Sequence, residues 1–211
     1  ALKQTFDTAA ELLEVQAKRL QTKGYSFNID EAEFDNFTKK FPYTETFDQK
    51  RTIEDVLSDM KSLKAMDRLV CGEVGFGKTE VAMRAAYISA MNNKQTCILV
   101  PTTLLASQHF SSFKERFKET GINIGLLSRN INTRDKTELL QNLSNGEIDI
   151  IIGTHALIQG NISFKDLGLL IIDEEHRFGV RQKEKIKSLK EEVEVLSLSL
   201  IHISEPTRLN P

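Results

Sequence analysis

The chain has 211 residues, of which 40% are hydrophobic and 27% charged, and its formal net charge is −2 at pH 7. This length and composition are typical of a globular protein with one or two domains and exclude a disordered or fibrous one. No apolar run reaches the roughly 20 residues that cross a bilayer, so we expect no membrane contact. Because the charge is not basic overall, any nucleic-acid surface has to be a local patch. The apolar surroundings of Cys71 and Cys97 predict buried free thiols and a reducing, cytoplasmic setting.

The N-terminal part predicts two segments that precede the main domain. Residues 1–24 read as one connector helix, because apolar residues recur at spacings of four and three until Gly24 ends the pattern. A narrow apolar stripe favours packing against a neighbouring element over a cofactor site. Residues 25–50 form a lead-in segment with three phenylalanines on one helical face: Phe34, Phe37 and Phe41. The chain begins without methionine or a signal-peptide pattern, so we expect a piece of a longer protein.

Residues 51–199 alternate short apolar runs with amphipathic helical ones. The apolar runs are "RLVCG", "TCILVP", "INIGLLS", "IDIIIGTH", "LGLLIIDEEH" and "VEVLSLS". Strands that are apolar throughout and separated by helices predict an α/β fold with a mainly parallel sheet covered by helices on both faces. In such sheets ligands bind at the carboxyl ends of the strands, where each of the following motifs lies.

The stretch "GEVGFGKT" fits the phosphate-binding loop G-x-x-x-x-G-K-[ST] and stands between a predicted strand and a predicted helix. Its glycines let backbone N–H groups close around phosphates, and the helix N-terminus adds positive potential. Lys78 is predicted to reach the phosphates of ATP, and the Thr79 hydroxyl to ligate Mg²⁺. The predicted nucleotide-binding residues are Gly72, Glu73, Val74, Gly75, Phe76, Gly77, Lys78 and Thr79.

A second motif, "DEEH", follows a buried strand. Asp173 is predicted to be the second Mg²⁺ anchor, and Glu174 to orient and deprotonate the attacking water. Adjacent carboxylates at a buried strand end repel each other unless a cation is present, although a solvated acidic cluster is the alternative. With Lys78, these two residues are the predicted catalytic set.

The motifs resemble those of superfamily 2 helicases and translocases. In that superfamily "VPTTLLASQH" and "IGTHAL" correspond to loops that face the nucleic-acid backbone, where hydroxyls and backbone N–H groups hold phosphates without reading sequence. The resulting DNA-contact candidates are Thr102, Thr103, Gln108, Thr154 and His155. Each of them fits equally well as a helix cap or a satisfied turn residue.

The stretch "FPYTETFDQ" resembles the adenine-reading Q motif of the same superfamily. That resemblance implies that Gln49 hydrogen-bonds the adenine edge, with Phe41 or Phe47 packing nearby. The alternative is that Gln49 is only a surface residue at the start of an amphipathic helix.

Residues 1 to about 199 resemble the first RecA-like motor lobe of bacterial transcription-repair coupling factors. The resemblance rests on "AMDRLVCGEVGFGKTEVAMRAA", "LVPTTLLASQH", "IIGTHALIQ" and "LGLLIIDEEHRFGVRQKEKIK". RecG-type fork-remodelling helicases are the nearest relatives, but Phe76 and Glu175 favour the coupling factors, whereas Glu73 stands where that family usually has aspartate. The resemblance implies an ATP-driven motor on double-stranded DNA that displaces stalled RNA polymerase and recruits excision-repair proteins. An ATP-regulated docking scaffold without motor activity is the alternative from another class.

Residues 200–211, "LIHISEPTRLNP", follow neither the helical nor the strand period. The family continues at this point with an Ala-Thr-Pro-x-Pro-Arg segment. A DNA string that matches a widely used transposase sequencing adapter can encode residues 198–208 in one frame. We therefore expect a non-native tail, with its junction between Ser197 and Leu200, and assign it no function.

Overall fold

A computed structural model describes residues 24–73, 75–128, 131–159, 162–190 and 193–200. The predicted connector helix up to residue 23 and the tail after residue 200 lie outside these residues. The described helices are α1 (Glu31–Lys39), α2 (Phe47–Lys61), α3 (Lys78–Met91), α4 (Thr103–Phe117), α5 (Thr133–Asn145), α6 (Ala156–Gln159) and α7 (Val180–Lys190). The strands are β1 (Asp67–Gly72), β2 (Gln95–Leu99), β3 (Ile124–Leu127), β4 (Ile150–Gly153), β5 (Leu167–Asp173) and β6 (Glu194–Leu200).

The six strands form one sheet in the order β1-β6-β5-β2-β4-β3, and every neighbouring pair is parallel. Every residue of β2 and β4 is buried, as expected for strands covered on both faces. β6 continues to Leu200, so it includes the first residue of the expected non-native tail. The predicted parallel α/β sheet is confirmed.

Helices cover both faces of the sheet, as predicted. Successive strand residues point to opposite faces, so Ile98 belongs to one core while Cys97 and Leu99 belong to the other. The first core receives side chains from α1, α2, α3 and α4, and the second from α5, α6 and α7. No helix within the described ranges has the length and apolar character needed to cross a membrane.

A buried ion-pair network joins the lead-in segment to the helix that follows the phosphate-binding loop. Glu80 accepts hydrogen bonds from Arg84 Nε at 2.9 Å and from Arg116 Nη2 at 3.0 Å. Arg84 also donates to Glu45, and Arg116 donates to the Phe37 carbonyl at 2.8 Å. Because Glu80 directly follows Thr79, this network fixes the lead-in segment against the start of α3.

The lead-in segment also packs through its aromatic residues. The Phe37 ring stacks on Tyr87 with centroids 4.1 Å apart, and the Arg116 guanidinium lies 3.9 Å from the Phe37 ring centroid. Phe34 packs against the same core, while Phe41 is half-buried near Arg84. The predicted helical face is therefore confirmed for Phe34 and Phe37, but it is wrong for Phe41, because α1 ends at Lys39.

The two cysteines differ in their environment. Cys97 is buried in the centre of the sheet, and burial raises the pKa of its thiol to about 12. Cys71 is exposed, so the prediction of a buried thiol is wrong for this residue. The reason is that β1 is an edge strand of mixed burial, in which Cys71 follows the buried Val70 and precedes the buried Gly72.

We expect one thiol per folded chain to react with a disulfide reagent at pH 8, and the second only in denaturant. The thiolate is the reactive form, and a thiol with a pKa of about 12 is ionised at pH 8 to about one part in 10⁴. Cys71→Ser should remove the rapid reaction, whereas Cys97→Ser should leave it. Two fast thiols in the folded chain would contradict the burial of Cys97.

Candidate active site

A cleft of about 480 Å³ lies at the carboxyl ends of β1, β6 and β5. Its volume is in the range of pockets that bind small molecules. The cleft brings together the two motifs that the sequence singled out, although about 100 residues separate them along the chain. The lining residues are Gly75, Gly77, Lys78, Thr79, Leu105, Gln108, His109, Ser112, Asp173, Glu174, Arg177, Leu198 and Leu200.

The phosphate-binding loop has the backbone that anion binding requires. Gly75 and Gly77 have φ angles of 85° and 76°, in the left-handed region that favours glycine. Gly77 is the N-cap of α3 and offers no capping side chain, so the first N–H groups of that helix remain available to an anion. Val74 lies outside the described residues.

Lys78 is bound by its own loop. Its Nζ donates to the carbonyl oxygens of Gly72 at 2.7 Å and Glu73 at 2.9 Å. The ammonium group is therefore held at the mouth of the loop by neutral acceptors. A phosphate is a stronger, charged acceptor, so binding one would exchange these two hydrogen bonds for charge-assisted ones.

Glu174 has an unusual backbone and an unusual side-chain environment. Its φ and ψ angles are 54° and 50°, which is uncommon for a residue with a Cβ, and its N–H donates to the Leu198 carbonyl at 2.9 Å. The side chain is buried, and Oε2 has no hydrogen-bond partner, although His176 Nε2 lies 3.2 Å and Arg177 Nε 3.6 Å away. A strained backbone and an unsatisfied buried carboxylate oxygen are features that cluster at functional sites.

Thr79 and Asp173 both line the cleft and offer the hydroxyl and carboxylate oxygens that Mg²⁺ prefers. Among the described residues, no group of three or more His, Cys, Asp or Glu side chains is arranged to hold a metal. Mg²⁺ is commonly bound through one or two carboxylates and the phosphates of a substrate. The two residues therefore fit an Mg²⁺ that arrives with a nucleotide, to which it would supply charge neutralisation at the phosphates.

Gln49 lies against the phosphate-binding loop. Its Oε1 accepts from the Thr46 N–H at 2.8 Å, and the Thr46 hydroxyl accepts from the Gln49 N–H, which forms the capping box of α2. Its Nε2 donates to the Phe76 carbonyl. Gln49 is thus more than a surface residue, but adenine recognition stays a prediction. Phe47 is largely exposed, whereas Phe41 is half-buried.

The DNA-contact candidates lie mostly on two neighbouring loops. β2 and β4 pair so that Leu99 lies opposite Gly153, and the loops after them therefore leave the same edge of the sheet. Thr103 is exposed at the start of α4, and Thr102 is exposed but also caps that helix by accepting from the Leu105 N–H. The Thr154 hydroxyl is buried without a hydrogen-bond partner, and His155 is half-buried beside it.

Gln108 does not lie with these loops, because its side chain lines the cleft. Leu105, His109 and Ser112 share the same face of α4, at the i, i+4 and i+7 spacing that places residues on one side of a helix. Sequence reasoning missed this face. The spacing could have indicated it, but only the cleft that this face lines together with Asp173 and Glu174 shows that it meets the acidic motif.

Glu175 lies next to the cleft and stabilises the acidic turn. It accepts from Lys190 Nζ at 2.9 and 2.8 Å and from the Ser197 hydroxyl at 3.3 Å, so it ties the acidic turn to α7 and β6. It does not line the cleft. Asp173 and Glu174 therefore line the cleft while Glu175 binds neighbouring elements, a division that the sequence does not reveal.

A parallel sheet with a phosphate-binding loop after its first strand and an acidic turn after its fifth defines a P-loop nucleotide-using domain of the helicase type. The family model of DEAD/DEAH box helicases matches residues 46–204, and the chain belongs to this family. The predicted RecA-like class is thereby confirmed.

The chain is also similar to individual proteins whose names are known. The chain is 55% identical to the transcription-repair-coupling factor of Haemophilus influenzae and 50% identical to that of Escherichia coli, in both cases over 97% of the chain. It spans only about a fifth of the length of these relatives (18%). A structure of RecG bound to a three-way DNA junction superposes with a TM-score of 0.78 and 37% identity, over 88% of this chain and 25% of that one. The UvsW helicase of bacteriophage T4 shares the fold, with a TM-score of 0.61 and 18% identity over 83% of this chain and 62% of that one.

Substitution of Gln49 separates adenine recognition from loop positioning. If the amide reads the adenine edge, Gln49→Ala should weaken ATP binding by about tenfold and leave GTP binding little changed, because one hydrogen-bonded contact is worth about 1 to 1.5 kcal/mol. Titration with fluorescent analogues of both nucleotides measures the ratio. Gln141→Ala, an exposed glutamine on α5, is the control. An equal loss for both nucleotides would contradict base recognition and leave the contact with Phe76.

Proposed function

We propose that residues 51–199 form the first motor lobe of an ATP-dependent translocase that acts on double-stranded DNA. The observation that carries this proposal is the single cleft that joins Lys78 and Thr79 to Asp173 and Glu174. Hydrolysis of a nucleoside triphosphate needs a phosphate cradle, a metal anchor and a group that orients water, and these residues supply one of each.

The roles divide according to environment. Lys78 would exchange its loop carbonyls for the phosphates of a nucleotide, and Thr79 and Asp173 would hold Mg²⁺, which would neutralise charge at those phosphates. Glu174 is buried, with one carboxylate oxygen free of hydrogen bonds, so it is suited to accept a proton from the attacking water. Gln49 holds the loop at Phe76 and reads the adenine edge of ATP.

DNA would be held at the loops that follow β2 and β4. Thr102, Thr103, Thr154 and His155 lie on these adjacent loops, and their hydroxyl, imidazole and backbone N–H groups suit phosphate contacts that are independent of base sequence. Thr154 requires a local opening, since its hydroxyl is buried in the present conformation. Gln108 lines the cleft, so a DNA contact from this residue has less structural support than the others.

For the whole protein we propose displacement of stalled RNA polymerase and recruitment of excision-repair proteins. The support is the identity of 50–55% to transcription-repair-coupling factors across nearly the whole chain. The reduced Cys71 and Cys97 are consistent with a proposed cytoplasmic location.

A RecG-like fork remodeller is the second candidate, favoured by the superposition with RecG on a three-way junction. An ATP-regulated scaffold would bind nucleotide without DNA-stimulated turnover.

Two substitutions in a chain that carries both motor lobes should separate binding from hydrolysis. Lys78→Ala should abolish nucleotide binding, because no other cation of the loop replaces its contact with the phosphates. Glu174→Gln should keep binding and lower turnover by at least about 10²-fold, since it removes a general base and keeps the Mg²⁺ ligand. Fluorescent nucleotide titration and steady-state phosphate release measure the two effects. Turnover by Glu174→Gln close to the parent rate would contradict the role of Glu174.

The 211-residue chain alone should bind ATP weakly and hydrolyse it negligibly, with or without duplex DNA. Motors of this kind complete their site with an arginine from another element, worth about 10³-fold or more in rate. Phosphate release by the purified chain, compared with a chain that carries both lobes, measures the difference. Robust DNA-stimulated turnover by these residues alone would show that a second lobe is not required.

A further inference from the structure

His109 contacts the residue proposed to hold Mg²⁺. Its Nε2 lies 2.9 Å from Asp173 Oδ2, and the two side chains are only 11% and 14% exposed. The contact joins α4, on which His109 lies, to the last residue of β5. Neither the roles proposed for ATP hydrolysis nor the DNA-facing loops account for it.

The imidazole is held in place by its own surroundings. Its ring lies edge-on to Phe113, one turn further along α4, with centroids 6.4 Å apart and an interplanar angle of 65°. Phe113 is buried and stacks on Phe117, which anchors this face of the helix in the core. The position of Nε2 is therefore set by the packing of α4, and a rigid donor restricts rotation of the carboxylate that it contacts.

The contact uses one of the two carboxylate oxygens of Asp173 and leaves Oδ1 to other partners. Rotation of an unrestrained carboxylate has to be given up when a metal or its water binds, and a fixed neighbour removes part of this cost. We propose that His109 is a positioning residue for Mg²⁺ binding. Its Nε2 donates to Asp173 Oδ2 and thereby orients the carboxylate that would hold the metal. This inference rests on the proposed function, because it assumes that an Mg²⁺–nucleotide binds in the cleft.

The test compares two replacements that retain bulk against Phe113. His109→Leu removes the donor, whereas His109→Gln places an amide nitrogen near the position of Nε2 and keeps it. The measurement is the binding of a fluorescent ADP analogue to the 211-residue chain, in EDTA and across a titration of Mg²⁺. We expect His109→Leu to raise the Mg²⁺ concentration at half-effect by about tenfold, the lower end of the range seen when a partner of a metal ligand is lost. His109→Gln should bring the Mg²⁺ concentration at half-effect most of the way back to the parent value. The affinity for the ADP analogue in EDTA should be the same for the parent and both variants.

Ser111→Ala provides the matched control, because Ser111 is exposed on α4 and does not line the cleft. Thermal melting of each variant shows whether the fold is retained, and a general loss of packing would change affinity in EDTA as well. If His109→Leu has the parent Mg²⁺ dependence, or binds Mg²⁺–nucleotide more tightly because His109 competes with the ion, the inference is overturned while the proposed function stands. If the parent chain binds the analogue identically with and without Mg²⁺, both fail together.

Discussion

The parallel pairing of β6 with both β1 and β5 is the constraint on which the site depends. Leu198 lies between Val70 and Asp173 in the sheet, and its carbonyl accepts the N–H of Glu174. Without β6 between β1 and β5, the phosphate-binding loop and the acidic turn would not lie side by side. β6, whose first five residues are buried, thus brings Lys78 and Asp173 to the lining of one cleft.

The carboxyl edge of the sheet divides into two regions with different proposed roles. The half built from β1, β6 and β5 carries the nucleotide cleft, and the half built from β2 and β4 carries the loops proposed to hold DNA. α4 belongs to both halves, since Thr103 begins it beside β2 and His109 contacts Asp173 at the end of β5. His109 comes six residues after Thr103, the first residue of α4, which is about 9 Å along the helix at 1.5 Å per residue.

The strands and the phosphate-binding loop could be predicted from sequence because local patterns determine them. Apolar runs such as "IDIIIGTH" have no polar face, and "GEVGFGKT" carries its conformation in its glycines, so neither depends on distant residues. The contacts between elements could not be predicted in this way. Glu80 contacts Arg116 across 36 residues, and His109 meets Asp173 across 64, through packing that no local period encodes. The exposure of Cys71 could not be predicted for the same reason, because burial of a strand residue depends on whether the strand lies at the edge of the sheet.

Gln49 has a structural role in the fold and a proposed functional role in reading adenine. The capping box explains why glutamine stands three residues after Thr46, and the hydrogen bond to Phe76 explains why this helix begins beside the loop. The structure contains the contacts of the structural role, whereas the reading of adenine stays a proposal. Similarly, "DEE" reads as one acidic cluster, but the carboxylates of Asp173, Glu174 and Glu175 lie next to different side chains: His109, His176 and Lys190.

The central claim is that one nucleotide binds between the phosphate-binding loop and the acidic turn. Hydrogen–deuterium exchange of the chain with and without Mg²⁺ and a non-hydrolysable ATP analogue tests it most directly. The account predicts slower exchange in the described parts of residues 72–80 and in residues 173–177, because phosphates would accept from the N–H groups at the start of α3 and the metal would restrain the end of β5. Protection confined to another part of the chain, or none at a saturating concentration of the analogue, would contradict it.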